Sequence, residues 1–139
     1  MGKHIYRQPS IQKRYSLLLK KIKRGKKMGE MSESVDSVMN MMAELSKKQP
    51  ETMRSFKAFM GAVLKPNVLD TKTKELITLG TAITARCKYC IAIHVKKSLE
   101  AGATPDEIME TATVAILMGG GPAMTYVTEV KQALDEYTE

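Results

Sequence analysis

The sequence predicts an all-α fold, and two patterns support this fold class. Apolar residues recur at steps of three and four along most of the chain, which is the spacing of one helix face. No segment shows a convincing alternation of apolar and polar residues, which a half-buried strand would require. A chain of 139 residues is long enough for one domain with its own core, because it buries about 68% of its unfolded surface on folding.

A basic N-terminal arm over residues 1–30 is predicted to precede a helical domain over residues 31–139. The arm holds ten Lys and Arg residues against the single acid Glu30, whereas the domain holds twelve basic and fourteen acidic residues. Helical spacing of its apolar residues predicts a short amphipathic helix over Ser10–Arg24. The glycines and serines of Gly25–Ser34 predict a linker.

The arm has two main interpretations. It docks on a neighbouring subunit or an acidic partner, or it is a solvated tail. Binding to nucleic acid or to a membrane surface has only the positive charge in its favour.

Two helices are predicted to follow the linker. In the first, Ser34 is a candidate N-cap, and the apolar spacing extends over residues 35–45. The second extends from about Met53 to Leu64, with Pro50 suited to its first turn. Three methionines of the first helix are expected in the core or in an interface rather than at a metal: Met39, Met41 and Met42.

A third helix is predicted over Thr71–Ala85, with Asp70 as its N-cap. Its apolar residues are expected to be buried, and they are Leu76, Ile77, Leu79 and Ile83. A fourth helix is predicted from about Cys87 to Glu100. It ends at Gly102, because glycine suits the position that follows a helix.

The remainder of the chain is predicted as two helices separated by Gly119–Gly121. The segment Thr104–Glu107 combines an N-cap threonine, a proline at the first helical position and an acid three residues after the cap. This helix extends to about Met118, and Pro122 opens a last helix that ends near Tyr137. A helix break is favoured over a phosphate-binding loop, because no strand precedes the glycines and no Lys-Ser or Lys-Thr pair follows them.

The chemistry of the chain is expected at Cys87, Cys90 and His94. The cysteines form a CxxC motif, and the histidine follows four residues after the second cysteine. On a helix these three positions project from one face. Such an arrangement suits dithiol chemistry, in which one thiolate attacks, the other cysteine closes a disulfide, and an imidazole handles the proton. A loop this short is a poor structural staple, so a catalytic disulfide is favoured.

The residues alone leave open which sulfur attacks. Cys87 is nearer the positive end of the helix dipole, whereas Cys90 is one turn from His94. Glu75, on the preceding helix, could reach the same imidazole if the two helices pack antiparallel, and a carboxylate there would orient the ring. As an acid near the start of its helix, Glu75 also has a purely structural explanation.

Two other interpretations of this cluster exist. The cysteines could be buried core residues, or Cys87, Cys90, His94 and Glu75 could together bind a zinc ion. Zinc would quench the thiols, there is no second CxxC motif, and His4 is the only other histidine. The chain is therefore expected to use neither a metal nor another cofactor.

The register of Glu75, Cys87-x-x-Cys90 and His94 resembles the signature of the AhpD-like branch of the carboxymuconolactone decarboxylase superfamily. The resemblance extends from about Phe56 to Tyr137 and includes the Ala-Gly-Ala-Thr-Pro-Asp-Glu turn and the glycine-rich break. It implies an all-α helical bundle that assembles as a homo-oligomer, either a trimer or a hexamer.

The same resemblance implies peroxidase activity of the peroxiredoxin type, with an antioxidant role, or protein disulfide reductase activity. It implies that Cys90 is the attacking thiolate, that Cys87 resolves it, and that His94 and Glu75 form the proton relay. Tyr89 stands where well-studied alkylhydroperoxidases of this branch have a histidine, so a peroxide and a disulfide are both kept as candidate substrates. An external thiol reductant, such as a thioredoxin-like protein, is the expected partner.

Two rival functions follow from the same residues. One is a cofactor-free lyase of the carboxymuconolactone decarboxylase type, with His94 as acid and base. The other is a non-enzymatic oligomeric module in which the arm binds nucleic acid. A cytoplasmic location is expected, because no apolar run is long enough for a membrane span and the N-terminus has no secretory pattern.

Overall fold

The computed structural model describes residues 28–138, which form five helices: α1 (Glu30–Lys48), α2 (Pro50–Leu64), α3 (Thr71–Thr84), α4 (Lys88–Glu100) and α5 (Pro105–Thr138). No strand occurs in this part of the chain, so the predicted all-α fold class is confirmed. The amphipathic helix predicted over Ser10–Arg24 lies outside the described residues. The division into an arm and a domain near residue 30 stays a prediction.

The core lies where α3, α4 and α5 meet, and the first turns of α1 cover it. Side chains with no exposed surface come from all four helices: Met31, Leu79, Ile83, Ile91, Val95, Ile108 and Val130. Burial of each large apolar side chain contributes about 1.5–3 kcal/mol, so these helices hold one another in place. By contrast, α2 adds only Met53 to the buried residues.

The first helix begins earlier than the sequence predicts. Gly29 is its N-cap, and residues 30–34 of the predicted linker are helical. Glu136 of α5 explains the difference, because its carboxylate accepts two backbone N–H groups of the first turn, each at 3.1 Å. Ser34, the predicted N-cap, lies inside the helix and donates its hydroxyl to the carbonyl of Glu30 at 2.8 Å.

The starts of α3 and α5 agree with the sequence-based prediction. Asp70 accepts the N–H of Thr73 at 2.7 Å. At the start of α5, Thr104 accepts the N–H of Glu107 at 3.1 Å, and Glu107 accepts the N–H of Thr104 at 2.8 Å. Both caps are local, so the order of residues was sufficient to predict them.

The predicted glycine break is a kink inside α5. Gly120 has a φ of 63° and a ψ of −154°, a backbone conformation that favours glycine. A Cβ atom on Gly119 would lie 2.5 Å from the Cβ of Ala123, so the close approach across the kink requires a residue without a side chain. The interpretation of Gly119–Gly121 as a helix break is confirmed.

Part of the predicted burial is wrong. Leu79 and Ile83 of α3 are fully buried as expected, but Ile77 is 54% exposed. The apolar stripe of α3 is wider than the surface that the core covers, and helical spacing does not show which edge of a wide stripe faces solvent. Met39 and Met41 of α1 are exposed in the single chain, which contradicts a place in the core, whereas the predicted place in an interface stays a prediction.

Candidate active site

The turn between α3 and α4 places the first cysteine. The N–H of Arg86 bonds to the carbonyl of Ile83 at 3.0 Å, and the N–H of Cys87 bonds to the carbonyl of Ala82 at 3.1 Å. These are the two hydrogen bonds of a Schellman motif. Arg86 has a φ of 58°, a left-handed conformation that costs a residue with a side chain about 1–2 kcal/mol. The residue directly before Cys87 is thus conformationally strained.

Cys87 is also the N-cap of α4. Its sulfur accepts the N–H of Cys90 at 3.2 Å, and the two cysteines form a disulfide with their Cα atoms 5.2 Å apart. Both side chains are half-buried. In the reduced protein, this N–H group and the helix dipole would both favour negative charge on the Cys87 sulfur.

Glu75 and His94 join α3 to α4 next to the CxxC motif. Oε2 of Glu75 lies 2.7 Å from Nδ1 of His94, and the two side chains are 4% and 17% exposed. An ionised carboxylate only accepts hydrogen bonds, so Nδ1 is the donor of this bond, and in a neutral imidazole the lone pair is then on Nε2. One helical turn separates His94 from Cys90, which places both on one face of α4.

The structural explanation of Glu75 as a first-turn acid is wrong, because Glu75 is the fifth residue of α3 and is buried. The structure therefore pairs Glu75 with His94 between α3 and α4, and it pairs Cys87 with Cys90 at the start of α4. Their catalytic roles stay predictions at this point.

Two carboxylates that the sequence did not indicate also reach the CxxC motif. Lys88, which follows Cys87, forms ion pairs with Glu30 of α1 and with Glu129 of α5, the latter at 3.4 Å. The hydrogen bond from Lys88 to Glu30 raises the pKa of the lysine and lowers the pKa of Glu30. Glu30 and Glu129 are distant from the motif along the chain, so no local pattern could have identified them.

Within residues 28–138, no three His, Cys, Asp or Glu side chains are grouped so that they could bind a metal ion. None of the five described helices is both long enough and apolar enough to cross a bilayer.

Tyr89, between the two cysteines, is 52% exposed.

An apolar groove of about 490 Å³ lies between α3 and the first half of α5. Ile77 and Thr84 line it from α3, and Val114 and Met118 line it from α5. None of the four predicted site residues contributes to it, so the groove and the cysteine cluster are separate features of the surface.

Three comparisons with known proteins agree on one family. Residues 50–133 match the model of the carboxymuconolactone decarboxylase family. A crystal structure of a member of this family from Legionella pneumophila, in its apo form, is 34% identical, with a TM-score of 0.77 over 79% of this chain and 98% of that chain. A member from Thermotoga maritima is 28% identical, with a TM-score of 0.67 over 75% of this chain and 88% of that chain.

An uncharacterised protein of Haemophilus influenzae is 36% identical over 69 residues. This match spans 50% of this chain and 61% of the relative, which is less than two thirds of the relative's length.

Proposed function

This chain belongs to the carboxymuconolactone decarboxylase family, and we propose that it acts as a thiol–disulfide oxidoreductase of the family's AhpD-like branch. One observation carries the proposal: His94, which bonds to the buried Glu75 at 2.7 Å, lies one helical turn after Cys90 of the Cys87–Cys90 disulfide. A role in the antioxidative response has been suggested for the Thermotoga maritima relative, which supports the same class of chemistry.

In the peroxidase version of the reaction, His94 takes the proton of the Cys90 thiol, and the resulting thiolate attacks the terminal oxygen of a hydroperoxide. The O–O bond breaks, Cys90 becomes a sulfenic acid, and the alkoxide that leaves takes the proton back from His94 and departs as an alcohol. The Cys87 sulfur then attacks the Cys90 sulfur, which forms the disulfide and releases water.

In the disulfide reductase version, the Cys90 thiolate attacks a disulfide of the substrate and forms a mixed disulfide. Cys87 then attacks the Cys90 sulfur, so the substrate leaves as a dithiol and the Cys87–Cys90 disulfide forms. In both versions an external dithiol, for example on a thioredoxin-like protein, gives two electrons and two protons to the disulfide and is itself oxidised.

We propose the cytoplasm as the compartment, since such reductants operate there.

We assign the attack to Cys90, because His94 lies one turn further along α4 and can take its proton. Glu75 would hold the imidazole with Nε2 free for that transfer. The capping geometry at Cys87 supports the opposite order, since the N–H of Cys90 and the helix dipole favour charge on that sulfur. The assignment can be tested by trapping the first covalent species.

The test uses Cys87→Ser and Cys90→Ser, each assayed for turnover of an alkyl hydroperoxide and of a small disulfide with a dithiol reductant. Both variants are expected to lose turnover. After one addition of substrate, mass spectrometry should find the sulfenic acid or mixed disulfide on Cys90 in the Cys87→Ser protein, and no adduct in the Cys90→Ser protein.

Unchanged turnover in both serine variants would eliminate the redox function. An adduct only on Cys87 would keep the function but reverse the roles of the two cysteines. A lyase of the decarboxylase type predicts instead that activity on a lactone acid survives alkylation of both thiols.

We also propose that the protein works as a homo-oligomer, a trimer or a hexamer. The first half of α5 exposes Val114, Leu117 and Met118, whose side chains are between 58% and 81% exposed, next to the 54% exposed Ile77 of α3. Contiguous apolar surface of this kind marks interfaces between proteins. Sedimentation equilibrium of the full chain should give the subunit number, and a monomer at micromolar concentration would contradict the proposal.

A further inference from the structure

The lysine inside the CxxC motif is held by carboxylates from two other helices. Lys88 is the first residue of α4, where a positive charge opposes the helix dipole. Its ammonium group forms ion pairs with Glu30 and with Glu129. The lysine side chain is 29% exposed, and that of Glu129 is 23% exposed. Lys88 is therefore partly withdrawn from solvent and compensated on two sides.

The Glu129 contact is the more informative one. Its Oε2 atom, 3.4 Å from Nζ of Lys88, is buried and has no hydrogen-bond partner within residues 28–138. A buried carboxylate oxygen is stable only with nearby compensation, and Lys88 supplies the positive charge. Nothing in the proposed reaction uses Glu129, so the role of this ion pair at the CxxC motif is not accounted for by the reaction itself.

We propose that Lys88 and Glu129 are positioning residues that set the equilibrium between the Cys87–Cys90 disulfide and its dithiol form. The inference rests on the proposed function, since it concerns the same two cysteines. The equilibrium is the exchange in which the disulfide and two glutathione thiols give the protein dithiol and glutathione disulfide, with transfer of two electrons and two protons.

The charges of the cluster predict the direction of its effect. Lys88, Glu30 and Glu129 together carry a net negative charge. Negative charge disfavours a thiolate, and a dithiol whose thiolate is disfavoured is less stable relative to its disulfide. The carboxylates of Glu30 and Glu129 therefore shift the couple towards the disulfide, and the ammonium group of Lys88 shifts it towards the dithiol.

Two substitutions should act in opposite directions. Glu129→Gln removes a negative charge and keeps the side-chain shape, so the equilibrium with glutathione should shift towards the dithiol by about threefold to tenfold, as expected for one partly solvated charge near the sulfurs. Lys88→Met removes the positive charge and leaves both carboxylates, so the equilibrium should shift by a similar factor towards the disulfide. A tenfold change corresponds to about 30 mV in the potential of this two-electron couple.

The experiment equilibrates the full chain in glutathione buffers of known ratio and counts protein thiols by alkylation and mass spectrometry. The rate of alkylation of the reduced protein against pH gives the thiol pKa as a second readout, which should fall in Glu129→Gln and rise in Lys88→Met. Lys88→Arg keeps the positive charge, so its equilibrium should be the same as that of the wild type. Lys131→Met is the matched control, because it removes the lysine of an exposed ion pair with Asp135 on α5, and it should leave the equilibrium unchanged.

Opposite shifts of the equilibrium in Glu129→Gln and Lys88→Met support the inference. If the two substitutions only loosened the turn, both equilibria would shift in the same direction. Shifts in the same direction, or shifts no larger than that of Lys131→Met, would overturn it while the wild-type protein still exchanges with glutathione. If the wild-type cysteines do not exchange with glutathione at all, the proposed function itself fails, and this inference fails with it.

Discussion

The turns at the two ends of α4 have the same hydrogen-bond pattern but are built from different residues. Each is a Schellman motif, with two consecutive N–H groups bonded to carbonyls of the preceding helix at 2.9–3.1 Å. The left-handed residue is Arg86 in the turn before α4, with a φ of 58°, and Gly102 in the turn after it, with a φ of 89°. Only the second turn has the residue that this conformation prefers.

The helix caps that follow the two turns differ in the same way. The turn after α4 leads to Thr104 and Glu107, a reciprocal capping box. The turn before α4 leads to Cys87, whose sulfur accepts the N–H of Cys90 at 3.2 Å. Threonine is among the preferred N-cap residues and cysteine is not. We call the turn before α4, with the helices it joins, the first junction, and the turn after α4, with its helices, the second junction. The first junction thus lacks both the glycine and the preferred N-cap residue that stabilise the second.

The less favourable residues are found in the turn next to the proposed active site. Strained residues and weak caps are expected where function requires particular side chains, provided that the surroundings hold them in place. The Glu75–His94 hydrogen bond holds the two helices of the first junction together, and the ion pairs of Lys88 hold the start of α4. The comparison predicts that the first junction depends on tertiary contacts and the second on local ones.

The largest effect is expected when the support of the first junction is removed. His94→Ala leaves the Glu75 side chain, which is 4% exposed, without its hydrogen-bond partner, and this should lower the free energy of unfolding by about 2–3 kcal/mol. Urea denaturation of the oxidised protein would measure it. Lys96→Ala, an exposed position on the same helix, should change stability by less than about 0.5 kcal/mol.

A double variant separates pairing from packing in that experiment. Adding Glu75→Gln to His94→Ala removes the charge that has lost its partner, so part of the lost stability should return. If His94→Ala costs no more than Lys96→Ala, the pair does not hold α3 to α4, and the contrast between the two junctions loses its physical basis.

An intermediate effect is expected from exchanging the left-handed residues. Gly102→Ala should lower the unfolding free energy by about 1–2 kcal/mol, from backbone strain alone, since an added Cβ would have no heavy atom within 4 Å. Arg86→Gly should raise it by about 0.5 kcal/mol, because relief of strain exceeds the extra freedom of glycine in the unfolded chain.

Arg86→Ala is the matched control at that position, since it removes the charge and keeps the strain, and it should give no gain. Thermal unfolding of the oxidised proteins would measure all three variants. Equal losses in Gly102→Ala and Arg86→Gly would show that Arg86 is not strained and would break the comparison.

Features that depend on neighbouring residues were predicted from the sequence, and features that depend on distant residues were not. The capping box at Thr104, the Asp70 cap and the break at Gly120 were all predicted, because each depends on residues within a few positions. The start of α1 was not predicted, since its cap comes from Glu136, more than one hundred residues further along the chain.

The candidate site shows the same limit. The helical register of Cys87, Cys90 and His94 could be predicted from spacing, and the family resemblance added Glu75. The ion pairs of Lys88 could not be predicted, because Glu30 and Glu129 reach it only through the packing of α1 and α5 on α4. Spacing also placed Ile77 in the core, whereas the structure exposes it in the apolar groove.

The smallest predicted effect concerns pH and the second junction. Glu107 accepts a hydrogen bond from Lys72 at 2.7 Å and another from the backbone of Thr104, and these contacts lower the pKa of its carboxyl group, the Lys72 bond most. A carboxyl group whose pKa is lower in the folded state stabilises the fold above its ordinary pKa. That contribution is lost as the pH falls through the lowered value.

Glu107→Gln should therefore be slightly less stable than the wild type at neutral pH, and the difference should vanish in acid as the wild-type carboxyl group becomes protonated. Unfolding midpoints measured from neutral to acidic pH would show this convergence. Asp106→Asn is the control, because it removes a charge from the same turn and leaves both contacts of Glu107 in place, so it should not reproduce the effect. A constant difference between Glu107→Gln and the wild type across this range would mean that the capping box acts without its charge, and the second junction would then resemble the first more closely than its residues suggest.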